Sequence, residues 1–350
     1  VGKYGRIGVG VALTGFFLWL ALRNVDIAAV RDALRNASYG YLLPAALCGA
    51  LGYCLRTLRW GQILSRTKVI PFGRLFPILM TGFATNNLLP ARVGEFVRAY
   101  LLGRKEEVSP SLALATIVVE RVCDGLTLIA LMALTLAFFP IPVSDPKLQT
   151  IELVATIIFG VAALGLVALL LAPRPILAVV RFCLRPVQAR FAARIIGLLD
   201  QFIAGLEALR SPLALARIAG LSLLVWLCEG GTFAFVLLAF PLGLAGSEWF
   251  AAAVFLLVFV NLGIMIPSAP GYVGTYQLFA KLALGAFGVA ASAAVALSFV
   301  AHALQYTLIT GVGLLSIWRL GLSPRNLGTM ARAEQEAVVP PGASLPEAAD

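Results

Sequence analysis

An all-α polytopic membrane protein, with about six full transmembrane helices and two re-entrant helical hairpins arranged as an inverted repeat, is the fold class this sequence predicts. Three observations point to it: the composition, a series of long apolar runs, and two further apolar runs broken in the same way. Of the 350 residues, 60% are hydrophobic and 13% charged, and the mean hydropathy is +0.94. That balance belongs to the membrane class and excludes a soluble globular domain. The 27 Lys and Arg against 17 Asp and Glu give a net charge of +10. In a membrane protein such an excess marks cytoplasmic loops, so no nucleic-acid partner is expected.

The elements follow in chain order. Residues 7–22, preceded by Lys3 and Arg6, are apolar but end without a small-residue cleavage site, which favours an uncleaved first span over a signal peptide. Residues 39–58, 111–139, 151–171, 213–240 and 291–318 are each long enough, at about 1.5 Å per residue, to cross a hydrocarbon core of about 30 Å. With the first run they make six crossings. Residues 75–102 and 249–287 are also apolar, but polar segments bearing Pro and Gly interrupt them. The first break is Asn86-Asn87-Leu88-Leu89-Pro90-Ala91-Arg92-Val93-Gly94-Glu95; the second starts at Asn261 and holds Pro267-Ser268-Ala269-Pro270-Gly271-Tyr272-Val273-Gly274. Irregular backbone at membrane depth survives only where protein or a wet cavity satisfies it, so both runs read as re-entrant hairpins.

Charge supports that reading. With a cytoplasmic N-terminus and both hairpins returning to their starting side, every basic residue except Arg23, Arg31, Arg35, Arg121, Lys147 and Lys281 falls on the cytoplasmic side, Arg56 and Arg59 among them. Each break runs Asn, Pro, Val-Gly, and a long helix with buried polar residues follows: Glu120 and Arg121 after Gly94, His302 after Gly274. Three crossings lie between the hairpins, so they enter from opposite faces, the plan of secondary transporters. The expected units are a membrane domain over 1–322, with a first half at 39–140, a connector at 173–212 and a second half at 213–318. The connector is read either as an amphipathic segment on anionic lipid or as a solvated loop. Residues 323–350 are expected to form a disordered cytoplasmic tail.

Five cysteines without CxxC spacing and a single histidine, His302, offer no zinc site, and no nucleotide-binding glycine pattern is present. No metal, cofactor or catalytic residue is therefore assigned, and the protein is not expected to be an enzyme. Ionised groups at membrane depth are costly and mark function or structure. Glu120 and Asp124 are four apart and share a helix face, with Arg121 able to pair with Asp124. This cluster either faces substrate or staples its helix to the hairpin of Arg92 and Glu95. Arg92 at the first tip, with free N–H groups nearby, suits a phosphate or another anion. The candidate binding residues are Asn87, Arg92, Glu95, Arg98, Glu120, Arg121, Asp124, Asn261, Tyr276, Gln277 and His302. The candidate hinge residues are Pro90, Gly94, Pro267, Pro270, Gly271 and Gly274. Glu229 is an isolated buried acid, either a proton-coupling group or a partner for Lys281.

The residues from Asn87 to Arg98, the stretch Ser109 to Ala115, and Val119-Glu120-Arg121-Val122-Cys123-Asp124 resemble the lysylphosphatidylglycerol synthase transmembrane, or flippase-like, family. The Pro267 to Gly274 element is similar to that family's second Pro-Gly-rich element. The resemblance covers about residues 5 to 320. It implies a multi-pass inner-membrane protein that translocates lipids, with Arg92, Glu95, Arg98, Glu120, Arg121 and Asp124 in its polar centre. A large aminoacyl-transfer domain follows the membrane part in the two-part synthases, whereas a short tail follows Trp318 here, so lipid aminoacylation is not expected. The leading expectation is a flippase for an anionic phospholipid or polyprenyl-linked lipid. The alternative is a non-transporting, lipid-binding membrane partner of a lipid- or glycan-synthesis enzyme.

Overall fold

The computed structural model describes residues 3–65, 67–89, 92–139, 172–184, 211–244, 246–265 and 270–338, with isolated positions between 140 and 211. These residues form helices and turns without strands. The helices are α1 (Lys3–Leu22), α2 (Ile27–Arg35), α3 (Leu42–Leu64), α4 (Phe72–Leu88), α5 (Gly94–Glu106) and α6 (Pro110–Phe138). After them come α7 (Pro173–Cys183), α8 (Pro212–Leu238), α9 (Ser247–Met265), α10 (Thr275–Gly285), α11 (Ala291–Arg319) and α12 (Leu327–Val338).

Local sequence sets several boundaries. Pro110 opens α6, and the Ser109 hydroxyl accepts the Leu112 N–H at 3.4 Å, a serine cap ahead of a first-turn proline. Asp26 caps α2 by accepting from the Ala28 N–H at 2.8 Å. α5 ends on Glu107 in the left-handed region, φ +55°.

Among the described residues, four helices are long and apolar enough to cross a membrane: Tyr39–Leu64, Pro212–Leu238, Ser247–Met265 and Ala291–Arg319. A fifth span is formed if Ala12–Leu22 and Ile27–Arg35, bent by 82° at their break, count as one. The expected crossing at 111–139 is the 29-residue helix α6, which carries three charged residues and is not among those four. The crossing at 151–171 and most of the connector at 173–212 lie outside the described residues; the connector opens with α7. One expectation is corrected over residues 327–338; residues 339–350 lie outside the described residues. The tail at 323–350 opens with helix α12, whose Leu327, Met330 and Ala331 are buried in the same cluster as Leu101 and Leu102 of α5. Their apolar side chains give the segment a face to bury, which its overall polarity concealed.

Both broken runs fold back on themselves. In the first, the Asn86 side chain accepts the Gly94 N–H at 2.7 Å, and a Cβ on Gly82 would overlap the Arg98 side chain, so α4 and α5 run antiparallel in close contact. In the second, a Cβ on Gly263 would lie 2.6 Å from the Phe279 ring, and the Phe255 and Phe287 rings meet edge-on at 5.2 Å. α9 and α10 are thus antiparallel as well.

The two halves pack alike. Exchanging α3 with α8, α4 with α9, α5 with α10 and α6 with α11 maps the substantial contacts among these eight helices onto one another. For example, α4 on α11 matches α9 on α6, and α3 on α11 matches α8 on α6. The central pair, α3 and α8, is antiparallel: Thr232 donates to the Ala45 carbonyl at one end, and Arg59 donates to Ser222 at the other. Exchange of the halves therefore reverses helix direction.

Candidate functional site

A cavity of about 110 Å³ lies where the two breaks meet. Asn86, Asn87, Arg92 and Glu95 line it from the first broken unit, and Val260, Asn261, Ile264, Tyr272 and Tyr276 from the second. The breaks touch: a Cβ on Gly271 would sit 2.9 Å from the Tyr306 ring and 3.6 Å from the Asn87 carbonyl oxygen. Core helices close the rest of the wall with Tyr53 and Arg56 of α3, Arg121 of α6, Trp226 and Glu229 of α8, and His302 and Gln305 of α11.

The backbone at the two tips is alike in a way that the shared Val-Gly pattern announces. Arg92 and Tyr272, each two residues before the repeated glycine, are both left-handed, with φ +52° and +59°. Such conformations cost a non-glycine residue of order 1–3 kcal/mol and concentrate at functional sites. Gly271 at φ +73° and Gly274 at φ +93° supply the rest of the second turn, which starts at Pro270. Gly94 has a steric reason instead: a Cβ there would overlap the Gly82 carbonyl and the Asn86 amide. Pro90 and Pro267 lie outside the described residues.

Behind the cavity is a buried ionic cluster. Arg59, 0% exposed, donates to Asp124 at 2.7 Å and lies 3.4 Å from Glu120. Arg98 of α5 donates to the other oxygen of Glu120 at 2.6 Å, and its guanidinium lies 4.0 Å over the Trp60 ring. Asp124 also accepts from the Trp226 indole at 3.1 Å and has Arg121 and Arg56 each at 3.5 Å. Arg56 joins this cluster to the cavity, because its other nitrogen lies 3.5 Å from Glu229. The Trp226 ring holds that guanidinium at 4.9 Å, with Phe83 and Tyr53 near 6 Å.

The second half uses neutral groups at the corresponding place. Gln277, near the start of α10 as Arg98 is near the start of α5, bonds the Nδ1 of His302 through its amide nitrogen at 3.0 Å. Its amide oxygen accepts the Gly274 N–H at 2.8 Å. Tyr276 stacks on His302, with centroids 4.4 Å apart, and donates to Gln305 at 3.3 Å. Gln305 in turn donates to Glu229 at 3.1 Å.

Of the residues singled out from sequence, Asn87, Arg92, Glu95, Arg121, Asn261, Tyr276 and His302 reach the cavity. Arg98, Glu120, Asp124 and Gln277 do not line it; they form the supporting layer. Lys281 is not the partner of Glu229, since it donates to the carbonyls of Ala21 and Arg23 and so ties α10 to the end of α1. Sequence reasoning missed Arg56 and Arg59, which read as cytoplasmic loop charges. Their signal is helical: Gly52, Tyr53, Arg56, Arg59, Trp60 and Ile63 fall on one buried face of α3.

Residues 7–313 match the model of the Lysylphosphatidylglycerol synthase TM region. A UPF0104 membrane protein of Methanothermobacter thermautotrophicus is 30% identical over 330 residues, covering 91% of this chain and 94% of that protein. Glycosyltransferase AglD of Haloferax volcanii is 28% identical over 341 residues, 88% of this chain but 53% of AglD, so the chain spans about half of that relative. By the extent of the family match, this chain belongs to the Lysylphosphatidylglycerol synthase TM region family.

Proposed function

We propose that the protein is a multi-pass membrane translocator that moves an anionic lipid between leaflets. The headgroup crosses through the cavity while the hydrocarbon chains stay in the bilayer. The observation that carries this reading is electrostatic. Among the described residues in and behind the cavity, Arg56, Arg59, Arg92, Arg98 and Arg121 face Glu95, Glu120, Asp124 and Glu229. One guanidinium is in surplus, and an unbalanced charge at membrane depth is expensive. A phosphate bound by Arg92, Arg121 and Arg56 balances it through charge-assisted hydrogen bonds.

The packing supports passage in two directions. Because exchange of the halves reverses helix direction, the two broken units read as re-entrant hairpins entering from opposite faces, within six crossings and with both termini cytoplasmic at an inner membrane. The reading is non-catalytic: the carboxylates are engaged by arginines rather than set around a nucleophile.

A second reading draws on the relative named glycosyltransferase, of which this chain matches about half. Here the membrane part binds a lipid and presents it to a lipid- or glycan-synthesis enzyme, with access from one face only.

Thiol accessibility separates the two. In a background without the native cysteines, Ile264→Cys and Ile309→Cys place thiols on the cavity wall. Translocation predicts labelling by a membrane-impermeant reagent from either side of oriented vesicles. Labelling from one side alone contradicts it and favours presentation.

A further inference from the structure

Glu229 stands apart from the other acids of the site. Asp124 is held by Arg59 at 2.7 Å, by the Trp226 indole at 3.1 Å and by Arg121 at 3.5 Å, besides Arg56. Glu120 has Arg98 and Arg59. Glu95 has Arg92 at 3.7 Å, but its side chain is 22% exposed, so water can solvate it when that cation is engaged. Glu229, with a side chain 12% exposed, has among the described residues one cation, Arg56 at 3.5 Å, and one neutral donor, Gln305.

Arg56 is also the guanidinium placed to change partners. It lines the cavity, its Nε has no hydrogen-bond partner, and its side chain is 7% exposed inside an aromatic cage. A headgroup phosphate entering the cavity meets the guanidinium whose Nη2 Glu229 uses.

We propose that the cavity couples anion binding to uptake of one proton by Glu229, because a headgroup phosphate and Glu229 compete for the Arg56 guanidinium. The inference rests on the anionic-lipid reading above. When phosphate takes Arg56, Asp124 keeps two arginines and an indole, whereas Glu229 keeps only the Gln305 amide. A carboxylate left without its cation in a low-dielectric site is strongly disfavoured, and protonation removes the charge. The proton is taken up from the bulk solution and stays on the carboxyl while the anion is bound. When the anion leaves, Arg56 returns to Glu229 and the proton is released. One negative charge and one proton then cross together, which gives the transmembrane proton gradient a grip on lipid movement.

The other titratable groups around Glu229 are accounted for from each packed element. α3 contributes Arg56, Tyr53 and Cys48, α8 itself contributes Cys228, α6 contributes Arg121 and Asp124, and the two tips contribute Arg92, Glu95 and Tyr272. α10 contributes Tyr276, and α11 contributes Tyr306 and His302. The facing wall of α9 offers the uncharged Asn261. His302 is occupied by Gln277 and stacked on Tyr276; it and Glu95 are the competing titrators to separate from Glu229.

The test is the pH dependence of binding by the whole purified chain in neutral detergent. Two probes are titrated, dioleoyl phosphatidylglycerol and the chain-free headgroup glycerophosphoglycerol; both phosphodiesters keep one charge between about pH 6 and about pH 8, so their own titration adds no slope. Affinity of the wild type is expected to fall by up to about tenfold per pH unit as pH rises, the limit for one proton taken up. Glu229→Gln, which keeps a group to bond Gln305, is expected to bind with no slope. Glu95→Gln is expected to keep the slope whatever its affinity. A slope for the lipid and not for glycerophosphoglycerol assigns the anion to a lipid headgroup; a slope for both shows that the phosphodiester alone displaces Glu229. Binding without a slope in the wild type, or a slope that survives in Glu229→Gln and so belongs to another cavity group such as His302 or Glu95, overturns proton coupling through Glu229 and leaves the anion site standing. Absence of binding to either probe at every pH overturns the anion reading and this inference with it.

Discussion

Arg98 and Glu120 lie 2.6 Å apart with side chains only 3% and 1% exposed, so a buried ion pair ties the second arm of the first broken unit to helix α6. Removing one partner leaves the other charge uncompensated, which costs about 3–5 kcal/mol. Arg98→Ala is accordingly expected to lower the melting temperature in detergent strongly. Arg104→Ala, an exposed change on the same helix whose guanidinium bonds Tyr100, is expected to leave it nearly unchanged. Similar melting of the two variants would show that the pair holds nothing.

The glycine contacts make a sharper steric prediction. Gly94→Ala forces a Cβ into the Gly82 carbonyl and the Asn86 amide, so the hairpin cannot close as observed. Poor expression or a melting temperature well below wild type is expected, since overpacking typically costs about 1–3 kcal/mol and here the obstacle includes backbone. Gly311→Ala, with nothing within 4 Å of the added carbon, is expected to melt as the wild type does. Equal melting of both would contradict the close approach of α4 and α5.

Gln277 is expected to matter through satisfaction rather than charge. Gln277→Leu leaves the Gly274 N–H and the His302 ring nitrogen without their partner in a buried setting. A loss of about 1–3 kcal/mol is expected for each group left unpaired. Thermal unfolding of Gln277→Leu beside Gln277→Glu, which keeps the acceptor for Gly274, measures the two halves of that bond set.

Helix α12 gives a prediction outside the membrane core. Met330 is 8% exposed and packs in the cluster that includes Leu101 and Leu102. Met330→Asp buries an unpaired carboxylate there and is expected to detach the helix, read as new proteolytic cleavage near residue 327 and a lower melting temperature. Unchanged protease resistance would show that α12 does not depend on this face.

The sequence made the helical membrane class and the two matching breaks legible, because hydrophobic runs and Asn-Pro-Val-Gly punctuation are local signals. It also placed Glu120, Arg121 and Asp124 together, since their spacing on one helix sets their mutual geometry. Partners across helices were less legible. Arg59 sits in the basic stretch from Arg56 to Lys68, where positive charge reads as a loop until α3 is known to run on to Leu64. Glu229 was recognised as isolated, but its partner depended on which face of α8 meets α3, and that is set by packing of Gly52 against Cys228 rather than by any local pattern. The division of candidates into cavity wall and supporting layer was likewise tertiary. Arg92 and Arg98 are six residues apart on one unit, yet one lines the cavity and the other is sealed behind it.

The most direct test of the central claim is mass spectrometry of the lipids that stay with the purified protein, comparing wild type with Arg56→Ala, Arg92→Ala and Arg121→Ala. An anionic headgroup held by the surplus positive charge predicts selective enrichment of one anionic lipid class in the wild type and its loss from all three variants. Retention of bulk lipid alone, unchanged by the three substitutions, would contradict the account and leave the arginines as structural ties between helices.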